Sequence, residues 1–280
     1  MSLDNLLVMR KVSKNYKDFS LINIDFNLKM GEMICIVGKN GSGKSTLIEL
    51  ISHQKEPSSG EILREGIGKN KWEYKNNLFF LNDELRLLKD LNIKDVGRIF
   101  NNLYSGFDKK KYEEYCNLFE LPVRKSLHQF SKGMGVKLNF ALAFSSGVKL
   151  IVLDEAISGL DMFSTKFILT ELKKLVDEKK ISVILSTHIV EDMDQFATRI
   201  ILMKKGKIIL DEHIKNLFTI YNILETDEDG LNSLLSEKKL LLGYMKNGTN
   251  YKALLRDSKT NLNPKFNLKD LFYILLDGGE

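Results

Sequence analysis

The chain has 280 residues, of which 43% are hydrophobic and 28% charged, and its formal net charge is +5. That usage is ordinary for a globular protein and excludes disorder or collagen-like order as a description of the whole chain. No apolar run approaches the roughly 20 residues that cross a bilayer, and the first ten residues lack the pattern of a signal peptide. The length allows one large domain plus a small appendix. The positive charge is mostly lysine, 35 against 7 arginines. It fits a nucleic-acid binder, a membrane-surface protein or a plain soluble protein alike. Cys35 and Cys116 lie far apart, make no disulfide framework, and suit a reducing cytosolic compartment. Cys35 sits in an apolar run and reads as a buried small hydrophobe.

In chain order, Leu6–Lys11 and Ile22–Leu28 alternate as antiparallel strands, and Met33–Val37 reads as a buried strand after the turn Met30–Glu32. A glycine-rich stretch, Gly38 to Gly43, leads into a helix over Lys44–Ser52. The loop Pro57–Gly60 precedes a short strand, Glu61–Leu63. A further strand is expected over Asn77–Leu81. Residues 83–130 are charge-rich and helical, with helices over Ile93–Leu103 and Lys110–Phe119. Beyond them, strands at Leu150–Leu153 and Ser182–Ser186 alternate with helices at Phe163–Val176 and Val190–Ala197. Arg199–Met203 and Lys207–Leu210 form a hairpin. Strands alternating with helices imply a mainly parallel sheet with helices around it. From about residue 215 the pattern changes. Thr219–Glu225 is strand-like, Asp229–Leu235 helical, and Lys239–Met245 and Tyr251–Arg256 flank the hairpin signal Asn247-Gly248. Leu268–Leu276 is a final helix.

Gly38-Lys39-Asn40-Gly41-Ser42-Gly43-Lys44-Ser45 fits G-x-x-x-x-G-K-[ST], between a strand and a helix, the context the motif requires. The candidate phosphate cradle is Gly38, Asn40, Gly41, Ser42, Gly43 and Lys44, continuing into Ser45 and Thr46. Its glycines let backbone N–H groups point at phosphate, and the helix N-terminus adds positive potential. Lys44 is placed to reach the β- and γ-phosphates and Ser45 to ligate Mg²⁺. The bland alternative is a glycine-rich turn with a chance lysine. Leu150–Leu153 ends in Asp154-Glu155, 116 residues after Gly38. A buried strand that ends in Asp suits Mg²⁺ organisation, and the next carboxylate suits a water at the γ-phosphate. A strand meeting an acidic loop is the alternative. Together the two motifs say only P-loop NTPase.

Phe130-Ser131-Lys132-Gly133-Met134 lies just ahead of the apolar segment Val136–Phe144. Ser158-Gly159-Leu160-Asp161 follows Asp154-Glu155, and Ser186-Thr187-His188 follows an apolar strand. In order and spacing these resemble the signature, D-loop and switch histidine of ATP-binding-cassette (ABC) ATPases, the ATP-binding subunits of ABC transporters. The resemblance covers about residues 3–212. It implies a P-loop ABC-ATPase α/β core with a mainly parallel sheet, an antiparallel β subdomain and a helical subdomain at about 83–135. A small α+β appendix would occupy 215–280. It implies a head-to-tail dimer that clamps ATP between the P-loop of one subunit and the signature of the other. Ser131 and Gly133 would then contact the γ-phosphate in trans. His188, with Lys44 and Glu155 the catalytic set, would contact it in cis, and Asp161 would cross the dimer interface. Tyr16 lies where the family places an aromatic against adenine, with a partly buried strand tyrosine as the alternative.

Departures are informative. Asn82 stands where the family has a glutamine that helps organise Mg²⁺, one methylene shorter. Lys132 and Met134 replace Gly and Gln in the signature, and Ala156 replaces a proline. Ser-Lys-Gly-Met, with Tyr104–Asp108, resembles a subgroup of bacterial drug, lantibiotic and peptide exporters whose membrane subunit is a separate chain. The resemblance thus implies an ATPase using ATP and Mg²⁺, partnered by a membrane-spanning permease and a second nucleotide-binding subunit, identical or not. It would be cytoplasmic, peripheral on the inner face of the cell membrane, with no nucleic acid expected. Leu85, Leu87, Leu88, Leu91 and Ile93 line a groove for a permease helix or belong to the subdomain core. A soluble ABC ATPase acting on ribosomes or nucleic acid is the alternative function. A nucleotide kinase leaves Ser131–Met134 and His188 unexplained, and a non-hydrolysing regulator is disfavoured by Glu155.

Overall fold

The computed structural model describes residues 5–278 apart from 65, 69–70, 83–89, 158, 188–189, 191–192, 238–240 and 257–266. The chain opens with β1 (Asn5–Asn15), β2 (Ser20–Lys29) and the wholly buried β3 (Met33–Gly38). Then come α1 (Lys44–Ile51), β4 (Ser59–Leu63), α2 (Lys71–Asn76) and β5 (Leu78–Asn82). Three helices follow: α3 (Ile93–Leu103), α4 (Lys109–Leu118) and α5 (Lys132–Ser145). The α/β alternation resumes with β6 (Leu150–Asp154), α6 (Met162–Asp177), β7 (Ser182–Thr187) and α7 (Met193–Phe196). The hairpin β8 (Arg199–Lys204) and β9 (Lys207–His213) leads into α8 (Ile214–Ile220). Last are β10 (Tyr221–Thr226), α9 (Glu228–Glu237), β11 (Leu241–Asn247), β12 (Asn250–Arg256) and α10 (Leu268–Asp277).

Among the described residues these strands form three sheets. The central one has the order β5-β6-β7-β3-β8-β9. Its first five strands pair in parallel and β9 is antiparallel on the edge. The inner strands β3, β6, β7 and β8 are nearly continuous runs of buried Ile, Val and Leu. Both faces of a parallel sheet are covered, so such strands do not alternate. A second sheet, β2-β1-β4, is antiparallel, and a third, β10-β12-β11, is built by the C-terminal segment.

The helix starts follow local chemistry. Asn92 and Asp95 form a reciprocal capping box on α3, and Asp108 caps α4. Ser131 caps α5 and Asp161 caps α6 through the backbone N–H three residues on. Such caps satisfy donors that the helix leaves unpaired. Of the apolar set after Asn82, Ile93 is buried in the main core and half-buried Leu91 packs against it. Leu85, Leu87 and Leu88 lie outside the described residues. Cys35 is fully buried, and burial pushes its thiol up to about 12.

Two elements differ from the sequence reading. The strand expected over Thr219–Glu225 begins at Tyr221, because Thr219 and Ile220 close helix α8. The signal is Ile214 and Leu217, three residues apart and both buried, which fits a short helical face. Helix α2 was not anticipated. Tyr74 anchors it, donating a hydrogen bond to the Ile51 carbonyl.

The C-terminal segment shares the main core. Leu254, Leu268, Leu271, Phe272 and Ile274 join the same cluster as Leu202, Leu210 and Leu217. Its last turn also touches the end of β8 and the loop after β3. Lys204 donates to the Leu275 carbonyl at 3.1 Å, and Lys39 pairs with Asp277. Magnitudes separate these contributions. Leu271→Ala empties a fully buried site and should cost about 2–5 kcal/mol. Asp277→Ala removes a pair whose side chains are 59% and 32% exposed, and should cost about 1 kcal/mol or less. Urea midpoints with a common slope check this; comparable losses would mean that the ion pair holds the segment.

Candidate nucleotide site

The site is built where β3, β5 and β6 end on one edge of the central sheet. Parallel pairing sets Asn82 opposite Asp154, and Asp154 opposite Ser186. The loop after β3 turns into α1 through two glycines at positive φ, Gly41 at 77° and Gly43 at 107°. At Gly43 a Cβ would lie 2.7 Å from Leu21 and 2.8 Å from Phe19, so the turn needs glycine for space as well as for φ. A Cβ on Gly38 would lie 2.5 Å from the Met203 carbonyl oxygen.

Lys44, in the first turn of α1, is 4% exposed. Its ammonium donates to the carbonyls of Gly38 at 2.7 Å and Lys39 at 3.2 Å. It stands 4.0 Å from a Glu155 carboxylate oxygen. Burial lowers its pKa, and the charges of Glu155 and Asp154 oppose that shift. A charge kept dry beside two carboxylates is poised to receive anionic oxygens.

Phe19, Asn40, Gly41, Gly43, Lys44, Ser45, Thr46, Asn82, Asp154 and Glu155 line one cavity of about 520 Å³. Nine of these lie within the expected phosphate, Mg²⁺ and catalytic positions, drawn from three segments far apart in sequence. The residues fit a nucleotide with Mg²⁺. Lys44 supplies a buried cation. Ser45, Asn82 and Asp154 supply the oxygen donors a hard divalent cation takes. The buried Ser42 hydroxyl, in the same loop, has no hydrogen-bond partner among the described residues. Among those residues no cluster of three His, Cys, Asp or Glu side chains competes as a metal site.

Other expected residues sit elsewhere. Ser131 and Gly133 do not line this cavity. Gly133 has open space at its Cβ, and the Ser131 hydroxyl accepts from the Met134 N–H at 3.2 Å. Asp161 is likewise outside the cavity, accepting from the Ser164 N–H and hydroxyl, which hold its carboxyl below the usual range. Next to it, Met162 and Phe163 are 76% and 81% exposed. Tyr16 is exposed and does not line the cavity, but its ring stacks on Phe19, which does, with centroids 6.4 Å apart. His188, and Ser158 of the expected D-loop, lie outside the described residues.

Two residues escaped the sequence reading. Phe19 lines the cavity where only Tyr16 was singled out, because two aromatics three residues apart in one loop cannot be ranked without the fold. Ser186, quoted with the switch histidine but given no role of its own, bonds to the Asp154-Glu155 turn. The serine is wholly buried, directly after the apolar run Val183–Leu185 of its strand. That was the available signal.

The family model described as ABC transporter matches residues 21–158. The cytochrome c biogenesis ATP-binding export protein CcmA of Reclinomonas americana is 31% identical over 171 residues, 59% of this chain and 77% of that protein. The ABC transporter ATP-binding protein YtrB of Bacillus subtilis is 26% identical over 185 residues, 65% of this chain and 63% of that protein. The methionine import ATP-binding protein MetN of Legionella pneumophila is 30% identical over 180 residues, 60% of this chain. The chain spans less than two thirds of YtrB and about half of MetN. A dimeric structure of the ATP-binding cassette MJ0796, in a post-hydrolysis state bound to ADP and Pi, superposes with a TM-score of 0.66. It is 26% identical and covers 74% of this chain and 98% of that one. The P-loop, the carboxylates set beside it and these relatives agree: the chain belongs to the ABC transporter family, as an ATP-binding domain.

Proposed function

We propose that this chain is the ATP-binding and hydrolysing subunit of an ABC transporter that powers export of a drug, lantibiotic or peptide through a separate membrane subunit. One observation carries the ATPase reading. Lys44, Ser45, Asp154 and Glu155 converge on a single cavity of about 520 Å³. The backbone of the phosphate loop and Lys44 bind and orient the triphosphate. Ser45 and Asp154, with Asn82 beside them, would hold Mg²⁺, which would supply charge neutralisation to the triphosphate. Glu155 orients the attacking water and takes its proton. Tyr16, stacked on Phe19, offers a face to the adenine.

The cavity is half of a larger site. Ser131 and Gly133 stand at an open helix N-terminus away from Lys44, which suits contact with the γ-phosphate bound by a second copy or a paralogous subunit. Asp161, with exposed Met162 and Phe163, extends that contact face. Among the described residues no helix is long and apolar enough to cross a membrane. In this reading a membrane subunit supplies the path and this chain sits at the inner face of the membrane, as the resemblance to exporter ATP-binding subunits implies. Export is favoured over import by the Ser131–Met134 and Tyr104–Asp108 patterns, although MetN, a relative, is named for import.

Isolating the tagged chain from detergent-solubilised membranes of its own host tests this reading. An integral membrane protein should accompany it in stoichiometric amount and stimulate its ATPase. Inside-out vesicles carrying the complex should take up cargo with ATP. Uptake only in right-side-out vesicles would mean import. ATPase stimulation by ribosomes or DNA, with no membrane partner, would favour the soluble alternative.

The aromatic pair gives a separate expectation. Base–aromatic stacking is worth about 1–3 kcal/mol. Tyr16→Ala should therefore weaken ATP binding by roughly tenfold, and Tyr16→Phe should restore it, because the ring face rather than the hydroxyl is used. Calorimetry with ATP and Mg²⁺ decides this. Unchanged affinity in Tyr16→Ala would leave Phe19 as the sole aromatic against the base.

A further inference from the structure

We infer that Ser186 is a positioning residue for ATP hydrolysis, a hydroxyl clamp from β7 that sets both carboxylates of the Asp154-Glu155 turn. The inference rests on the ATPase reading above and names a residue that the sequence motifs leave without a role.

The geometry is specific. The Ser186 hydroxyl donates to Asp154 Oδ1 at 2.6 Å. The Ser186 Oγ in turn accepts the Glu155 backbone N–H at 3.0 Å. A hydroxyl has one donor and two acceptor lone pairs, so a single side chain can make both bonds together. Ser186 is wholly buried in the central sheet, where a hydroxyl is costly unless it is bonded. Parallel pairing of β6 and β7 sets Asp154 opposite Ser186, so the clamp is built into the register.

Each bond has a consequence. The first occupies one oxygen of Asp154 and fixes the plane of its carboxylate, so that Oδ2 would be the oxygen offered to a cation. Partners that orient a metal-ligating carboxylate commonly change affinity or activity by 10- to 100-fold. The second holds the backbone of Glu155, which stands at φ +52°. That left-handed conformation is uncommon for a residue with a side chain and persists only where the surroundings impose it. It turns the Glu155 carboxylate toward Lys44 Nζ, 4.0 Å away, and into the nucleotide cavity. Without the clamp, Asp154 can rotate and Glu155 can relax out of line with the attacking water.

The test compares Ser186→Ala, Ser186→Thr and the wild-type chain. Ser186→Ala should lower kcat by about 10- to 100-fold with KM for ATP within about twofold, since the phosphate loop is untouched. Ser186→Thr keeps the hydroxyl on a strand that accepts β-branched residues, and should recover most of the rate. In a Glu155→Gln background, Ser186→Ala should add little further loss, because groups that act as a unit are not additive. Two readouts do not need turnover. The gain in ATP affinity on adding Mg²⁺ should shrink in Ser186→Ala. In the nucleotide-free chain, the Glu155 amide should exchange with solvent faster in Ser186→Ala and at the wild-type rate in Ser186→Thr.

Unchanged kcat and unchanged Glu155 exchange in Ser186→Ala would overturn the clamp while leaving the ATPase reading intact. So would a loss that Thr fails to rescue and that tracks a fall in the urea midpoint, which marks a packing role only. A wild-type chain that binds no ATP would overturn the ATPase reading instead, and the exchange measurement would still decide whether the clamp holds the turn.

Discussion

Glu155→Gln is expected to slow ATP hydrolysis by about 10²- to 10⁴-fold, the usual worth of a positioned general base. Glutamine keeps the size and hydrogen-bonding reach of the side chain and removes its ability to take a proton. ATP binding should stay within a few-fold of wild type, because Lys44 and the phosphate loop are unchanged. The physical consequence reaches beyond rate. If two copies form both composite sites, blocking hydrolysis traps the closed state, and mass in solution should double on adding Mg²⁺ and ATP. A monomer that still binds ATP would point to a different partner subunit, or to closure that needs the membrane protein. Hydrolysis at near wild-type rate would remove Glu155 from the role assigned to it.

Lys44→Ala is expected to weaken ATP binding by about 10²-fold or more. The ammonium is nearly solvent-free and stands among the loop carbonyls and two carboxylates. Hydrogen bonds to charged groups contribute roughly 1.5–3 kcal/mol each, and each 1.4 kcal/mol is tenfold in affinity. The lysine can reach more than one phosphate oxygen, so the loss should exceed that of any single neutral contact. Removing it from the free chain is a smaller change to stability, because its burial already lowers its pKa and so disfavours the charged form. Calorimetric ATP affinity, read beside the urea midpoint, separates the two effects. Affinity within threefold of wild type would mean that the backbone alone carries the phosphates.

Much of this was readable before any fold was known, and the reasons are local. The stretch from Gly38 to Ser45 must make one kind of turn, because Gly41 and Gly43 occupy backbone conformations that other residues resist. The strand Leu150–Leu153 is uniformly apolar because both its faces are covered, and the first carboxylate after it falls at the sheet edge by necessity. By contrast, the caps Asn92, Asp108, Ser131, Asp161 and Asn267, whose bonds span only two or three positions, emerged with the structure. The run from Ile214 to Glu225 was misdivided at its junction. Its residues suit helix or strand about equally, and the boundary was decided by which of them reach the core. Helix α2 was missed because six residues carry little periodicity of their own.

Local chemistry alone therefore pointed to the phosphate-loop turn and the buried strand that ends in two carboxylates, whereas Phe130–Met134 was read through a family resemblance. Each depends on the conformation of a few consecutive residues. The tertiary structure decided what no short stretch encodes. Strand order β6-β7-β3 set Ser186 against Asp154 and the phosphate loop close by. Phe19 entered the cavity because the loop between β1 and β2 sets it against Gly43. The C-terminal helix ran its last turn against Lys39 and Lys204 because Leu271 and Phe272 are buried in the common core. Those placements depend on sheet register and long-range burial, which emerge only when distant segments compete for the same apolar surface.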